Sequence, residues 1–145
     1  MFRRLNDQFA VAPQIDAASV ADAVAQGFAL IINNRPDGEE PSAPQGDLIA
    51  AAAAAAGIGY VAIPVGNSGF SHPQIDALAL ALRECDGPIL AYCRSGTRSC
   101  FLWALASARD GTHPDTLAEQ AAAAGYDIAG IRPTLDALYA GSGAT

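Results

Sequence analysis

One short segment, Tyr92-Cys93-Arg94-Ser95-Gly96-Thr97-Arg98-Ser99, gathers the side chains of this sequence best suited to covalent chemistry on an anion. It follows an apolar run, Pro88-Ile89-Leu90-Ala91, and precedes an apolar stretch of helical length. A cysteine at a strand end that faces a helix N-terminus has its thiolate stabilised by the helix dipole and by unpaired amides. Gly96 lets the backbone turn so that successive N–H groups point inward as an anion nest. Arg98 can grip an oxyanion through two parallel N–H donors. Ser99 can cap the helix or donate a hydrogen bond to the thiolate. Arg94, Ser95 and Thr97 complete the rim that would meet an anionic substrate. A lone cysteine here would usually be a small buried hydrophobe. Surrounding it with two arginines and three hydroxyls is costly unless an anion is bound. The segment therefore reads as a nucleophilic site, with Cys93, Arg98 and Ser99 as its catalytic candidates.

The rest of the chain must hold that loop in place. Apolar runs at residues 9–13, 28–33, 58–65 and 88–92 read as strands, and they alternate with helical stretches at 16–26, 45–56, 71–85, 99–109, 112–124 and 133–140. Asp16 is a candidate N-cap and Gly27 a candidate left-handed stop for the first helix. Ser71 and Gln74 suit a capping box around Pro73. The run of alanines from Ala50 to Ala56 is a strong helix former. This β/α alternation predicts an α/β fold: a sheet of about four largely parallel strands flanked by helices, forming one domain over residues 1–145. Ligands of such sheets bind beyond the carboxyl ends of the strands, which is where Cys93 falls.

Composition narrows the partners. Among 145 residues, 51% are hydrophobic and 16% charged, which excludes a disordered chain. The net charge is −7 and every one of the eight cations is arginine, so neither nucleic acid nor an anionic membrane is an expected partner. The stretch from Leu48 to Ala56 is too short to span a bilayer. Three cysteines without a CxxC pair suggest neither a disulfide framework nor zinc, and with no signal peptide evident the expected location is the cytoplasm. Neither a metal nor another cofactor is expected.

The cysteine loop resembles those of protein tyrosine and dual-specificity phosphatases and of rhodanese-like sulfurtransferases. Phosphatases of that kind place five residues between cysteine and arginine. Here there are four, Arg94 to Thr97, as in rhodanese-like domains. Tyr92 also stands where a phosphatase usually has histidine. The segments Ile31-Ile32-Asn33-Asn34-Arg35-Pro36-Asp37-Gly38-Glu39, Tyr60-Val61-Ala62-Ile63-Pro64-Val65 and Gly125-Tyr126-Asp127 resemble the phosphatase-like domain of beta-lactamase-hydrolase-like proteins, from about Phe9 to Leu138. That resemblance implies a phosphatase-like α/β fold. In longer relatives the domain is joined to a metallo-β-lactamase-fold enzyme linked to sulfide and persulfide oxidation, so a separate enzyme of that fold is an expected partner. Dual-specificity phosphatases carry a general-acid Asp on the loop after the strand matching 60–65. Gly66-Asn67-Ser68-Gly69-Phe70 has no carboxylate there.

Loop length and the missing acid both favour sulfur transfer, with Cys93 taking sulfur from thiosulfate or glutathione persulfide. The alternative is phosphoester hydrolysis through a cysteinyl-phosphate. A third reading is a persulfide-presenting partner of a dioxygenase. The run after the second strand should edge the same crevice: Arg35 as a substrate contact or a partner of Asp37, Asp37 as a substitute acid, with Glu39 and Glu40 nearby. Cys100 reads as core or as a resolving thiol, Cys85 as a helix-end residue, and His72 and His113 as helix-start residues. Phe101 and Trp103 read as core.

Overall fold

The computed structural model describes residues 2–66 and 68–143. Five strands form the sheet: β1 (Arg3–Arg4), β2 (Phe9–Ala12), β3 (Leu30–Asn33), β4 (Gly59–Ala62) and β5 (Ile89–Tyr92), in the order β1-β2-β5-β3-β4. All pairings are parallel except β1 with β2. The expectation of about four strands misses β1. That strand is two exposed arginines, and it exists because Asn6 turns the chain: its Oδ1 accepts from the N–H groups of Gln8 and Phe9.

Helices α1 (Ala17–Ala25) and α2 (Gly46–Ala56) cover one face, and α3 (His72–Glu84), α4 (Thr97–Arg109), α5 (Pro114–Ala123) and α6 (Arg132–Gly141) the other. A short 3₁₀ turn, Ala129–Ile131, leads into α6. Strand periodicity sorts the side chains. Phe9, Val11, Ile32, Ile89 and Ala91 face α3–α6, while Ala10, Ala12, Ile31, Leu90 and Tyr92 face α1 and α2. Asp16 and Ser19 form a reciprocal capping box on α1. Gly27 and Gly57 are left-handed after α1 and α2. Gln74 accepts from the Ser71 N–H at the start of α3.

The middle helix on its face is α4, packed against α3, α5 and α6, with Leu102, Trp103 and Leu105 fully buried and Phe101 half-buried against Phe70. It begins at Thr97 rather than Ser99. A helix buried on so many sides cannot shift without disturbing several contacts, so its N-terminus is a fixed platform for the loop at the end of β5.

Candidate functional site

The central strand β5 delivers Cys93 to the carboxyl edge of the sheet, where it is completely buried. The chain then turns through Arg94, Ser95 and Gly96 into α4. Gly96 makes the turn: its φ is +92°, and its N–H donates to Cys93 Sγ at 3.1 Å. A Cβ at Gly96 would run into the Tyr126 hydroxyl, so space as well as angle favours glycine. Tyr126 in turn donates to the Ser95 carbonyl at 3.2 Å and braces the loop from outside. Burial raises the Tyr126 pKa. Ser95 and Thr97 are exposed and bond to each other through their hydroxyls at 3.0 Å. Arg94 is exposed on the rim, and its carbonyl accepts from the Gln14 N–H.

Arg98 is held by a partner 59 positions away. Its Nη1 and Nη2 donate to the two carboxylate oxygens of Glu39 at 2.9 and 2.8 Å, and Nη1 also donates to the Val65 carbonyl at 2.7 Å. Three of the five guanidinium N–H groups are thereby engaged. The two left are Nε–H and the second Nη2–H, which share one edge. That edge has the geometry for bidentate capture of an oxyanion. Glu39, then Cys93, holds the Arg98 pKa above its ordinary value, and Arg98, then Arg35, holds that of Glu39 below the usual carboxylate range. Arg98 thus stands between its anchor and the nucleophile.

Arg35 does not pair with Asp37. It is 8% exposed; its Nε donates to Glu39 at 2.9 Å, Nη1 to the Gln14 side chain at 2.9 Å and Nη2 to Glu40 at 3.4 Å. It reaches the site through Glu39. Asp37 accepts from the Gly46 N–H at 2.7 Å and so tethers the start of α2 on the other face of the sheet. There it lines a small polar cavity with Tyr92, whose hydroxyl is buried without a hydrogen-bond partner among the described residues. That commitment places it poorly as a substitute acid. Ser99 is also corrected. Gly96 occupies the N-cap, and the buried Ser99 hydroxyl donates to Asn34 Oδ1 at 2.7 Å rather than to Cys93.

Cys100 is buried in the core, and burial first, then Cys93, pushes its thiol up to about 12. Cys85 ends α3 and donates to the Gly87 carbonyl. His113 caps α5 and His72 opens α3. Among the described residues, no group of three or more His, Cys, Asp or Glu could hold a metal ion, and no helix is long and apolar enough to cross a membrane. Of the loop Gly66–Phe70, Asn67 lies outside the described residues. Local spacing does not reveal the Glu39 carboxylate or the Val65 carbonyl as Arg98 anchors. Glu39 carried only the signal of lying after β3.

The arrangement is a thiol that accepts the Gly96 N–H beside a guanidinium edge, at the carboxyl end of a mostly parallel sheet. Known proteins share the fold. A crystal structure of a candidate phosphatase from Neisseria meningitidis Z2491 superposes with a TM-score of 0.81 at 31% identity, covering 94% of this chain and 96% of that one. The active form of the phosphatase Tk-PTP matches in fold with a TM-score of 0.71 at 16% identity, covering 96% of both chains. The Agrobacterium fabrum protein named beta-lactamase hydrolase-like is 41% identical over 108 residues, 74% of this chain and 25% of that protein. Its namesake in Xylella fastidiosa Temecula1 is 36% identical over 107 residues, again 25% of its length. The chain thus spans about a quarter of the curated relatives it matches. These relatives favour the phosphatase alternative over sulfur transfer, which none of them supports. The family model for the phosphatase-like domain of beta-lactamase hydrolase-like proteins matches residues 1–110, from the β1–β2 hairpin through the whole of the Cys93 loop and α4, and the chain belongs to that family.

Proposed function

We propose that this domain is a cysteine-dependent phosphoester hydrolase acting on aryl phosphates. The observation that carries the reading is the edge of Arg98 not taken by Glu39 or Val65, which faces a buried Cys93 that accepts the Gly96 N–H. Cys93 Sγ attacks phosphorus, forming S–P as the ester P–O bond breaks. The loop N–H groups and Arg98 hold the non-bridging oxygens where charge develops. Water then attacks the cysteinyl-phosphate, releasing inorganic phosphate and restoring the thiol.

Neither Glu39 nor Asp37 is placed to protonate the leaving oxygen. Glu39 is kept ionised by two arginines and Asp37 is engaged with α2. General acid help is typically worth ~10²–10⁴-fold, so esters whose leaving group is stable as an anion are the fitting substrates. Phenolates satisfy this and alkoxides do not. Three free cysteines suit a reducing compartment such as the cytoplasm.

The four-residue interval from Cys93 to Arg98 supports a second reading, sulfur transfer through a Cys93 persulfide, since sulfite leaves thiosulfate as a stable anion. One experiment separates the two: p-nitrophenyl phosphate hydrolysis and intact mass after thiosulfate exposure, each on wild type and Cys93→Ser. Cys93-dependent hydrolysis without a dithiothreitol-reversible gain of sulfur supports the phosphatase. A reversible sulfur adduct without hydrolysis overturns it.

A further inference from the structure

Asn34 is 1% exposed, and its position at the end of β3 brings it into contact with every element that carries the site. Its backbone N–H donates to the carbonyl of Tyr92, the residue before Cys93, at 2.8 Å. Its side-chain Nδ2 donates to the Ile63 carbonyl at 2.8 Å, and its own carbonyl accepts from the Val65 N–H at 2.9 Å. Its Oδ1 accepts from Ser99, the residue after Arg98, at 2.7 Å. Val65 then presents its carbonyl to Arg98 Nη1 at 2.7 Å.

These bonds form two routes from one buried amide. One runs along the backbone into β5 and fixes Cys93. The other runs through Ser99 and through the segment after β4, and fixes Arg98 from two sides. The Ser99 hydroxyl has a single proton. While Asn34 Oδ1 takes it, Ser99 cannot donate to Cys93, so Asn34 also decides which groups solvate the thiol. Removing the Asn34 side chain would leave the Ile63 carbonyl and the Ser99 hydroxyl to find new partners. It would also remove the side-chain tie between the first turn of α4 and the end of β3.

We infer that Asn34 is a positioning residue that sets the register between the Cys93 nucleophile and the Arg98 guanidinium, acting through Ser99 and the 63–65 segment. The inference deepens the phosphoester-hydrolase reading and rests on it for its kinetic arm. A displacement of about 1 Å at a reacting centre can cost on the order of a hundred-fold in rate.

The test uses Asn34→Ala, Ser99→Ala, Ser99→Thr and the Asn34→Ala/Ser99→Ala double variant, all assayed well below their melting midpoints. Four quantities are read: kcat and KM for p-nitrophenyl phosphate, the inhibition constant of inorganic phosphate, and the protection by phosphate of Cys93 against iodoacetamide. Asn34→Ala is expected to lower kcat/KM by about ten- to a hundred-fold and to weaken phosphate protection. The double variant should cost no more than Asn34→Ala alone, because Ser99 acts through its bond to Asn34, which that substitution already removes. Ser99→Thr keeps the hydroxyl and should lose less than Ser99→Ala in each of these quantities. A folded Asn34→Ala with a lowered melting midpoint but unchanged kcat, phosphate inhibition and phosphate protection would overturn the inference, since a role confined to the scaffold moves only the midpoint. If Asn34→Ala fails to fold, Ser99→Ala decides by the same criteria. If wild type hydrolyses no ester, the phosphatase reading fails separately. The alkylation readout then still decides the role of Asn34.

Discussion

Replacing Glu39 by Gln tests whether the carboxylate holds Arg98 ready or merely occupies it. The wild-type pair has two charge-assisted bonds, at 2.8 and 2.9 Å, and the Glu39 side chain is 27% exposed. Hydrogen bonds to charged groups contribute ~1.5–3 kcal/mol net, and neutral ones about half as much. Glutamine retains one acceptor oxygen but places an NH₂ opposite a guanidinium donor. The orientation energy lost should therefore be about 1–2 kcal/mol. At ~1.36 kcal/mol per factor of ten, kcat/KM for p-nitrophenyl phosphate should fall roughly 5- to 30-fold. The inhibition constant of inorganic phosphate should rise in parallel, because Arg98 grips the free anion with the same edge. Steady-state kinetics with phosphate as a competitive inhibitor reads both quantities from one data set. Unchanged or tighter phosphate binding in Glu39→Gln would refute the reasoning and make Glu39 a resident competitor for the anion.

The remaining expectations concern the loop, Asp37 and pH. Gly96→Ala should lower kcat/KM by about ten-fold or more, because a φ of +92° strains alanine and its Cβ would displace the Tyr126 hydroxyl that braces the loop; wild-type kinetics in that variant would contradict the turn geometry. Asp37→Asn should leave kcat/KM within about two-fold while lowering stability by ~0.5–1 kcal/mol, as for a weakened bond at a helix start. A selective loss of alkyl-phosphate hydrolysis would reinstate Asp37 as an acid. Because the Glu39 pKa is lowered from 4.5, the stability contributed by its arginine pairs is fully present above pH 4.5 and is lost as pH falls through the lowered value. Urea midpoints of wild type and Glu39→Gln should therefore differ at neutral pH and converge below that range. A constant gap down to strongly acidic pH would disprove the linkage.

How much of this was legible in the residues depends on distance along the chain. The strands at Ile31-Ile32 and Ile89-Leu90 are continuous apolar runs, as strands buried on both faces must be, and they were readable. The loop 93–98 was readable because nucleophile, turn and cation are neighbours in sequence. The Asp16 cap and the left-handed Gly27 and Gly57 are equally local. Strand β1 was not, since Arg3-Arg4 has no strand signal and becomes a strand by pairing with Val11 and Ala10. The anchors of the site were hidden for a related reason. Glu39 meets Arg98 across 59 positions and Asn34 meets Ser99 across 65, and no spacing rule reaches so far. Asp37 and Arg35 sit two residues apart, yet the loop turns them to opposite duties, one on α2 and the other on Glu39. The loop length pointed to sulfur transfer, whereas the family and the fold point to phosphatases.

The central claim is that Cys93 becomes covalently phosphorylated during turnover. Rapid acid quench of the protein mixed with excess p-nitrophenyl phosphate, followed by intact-mass and peptide analysis, tests it most directly. One phosphoryl group is expected on the peptide carrying Cys93, absent from Cys93→Ser and strongly reduced in Arg98→Ala. Turnover of the ester by Cys93→Ser at the wild-type rate, with no adduct on either protein, would contradict it.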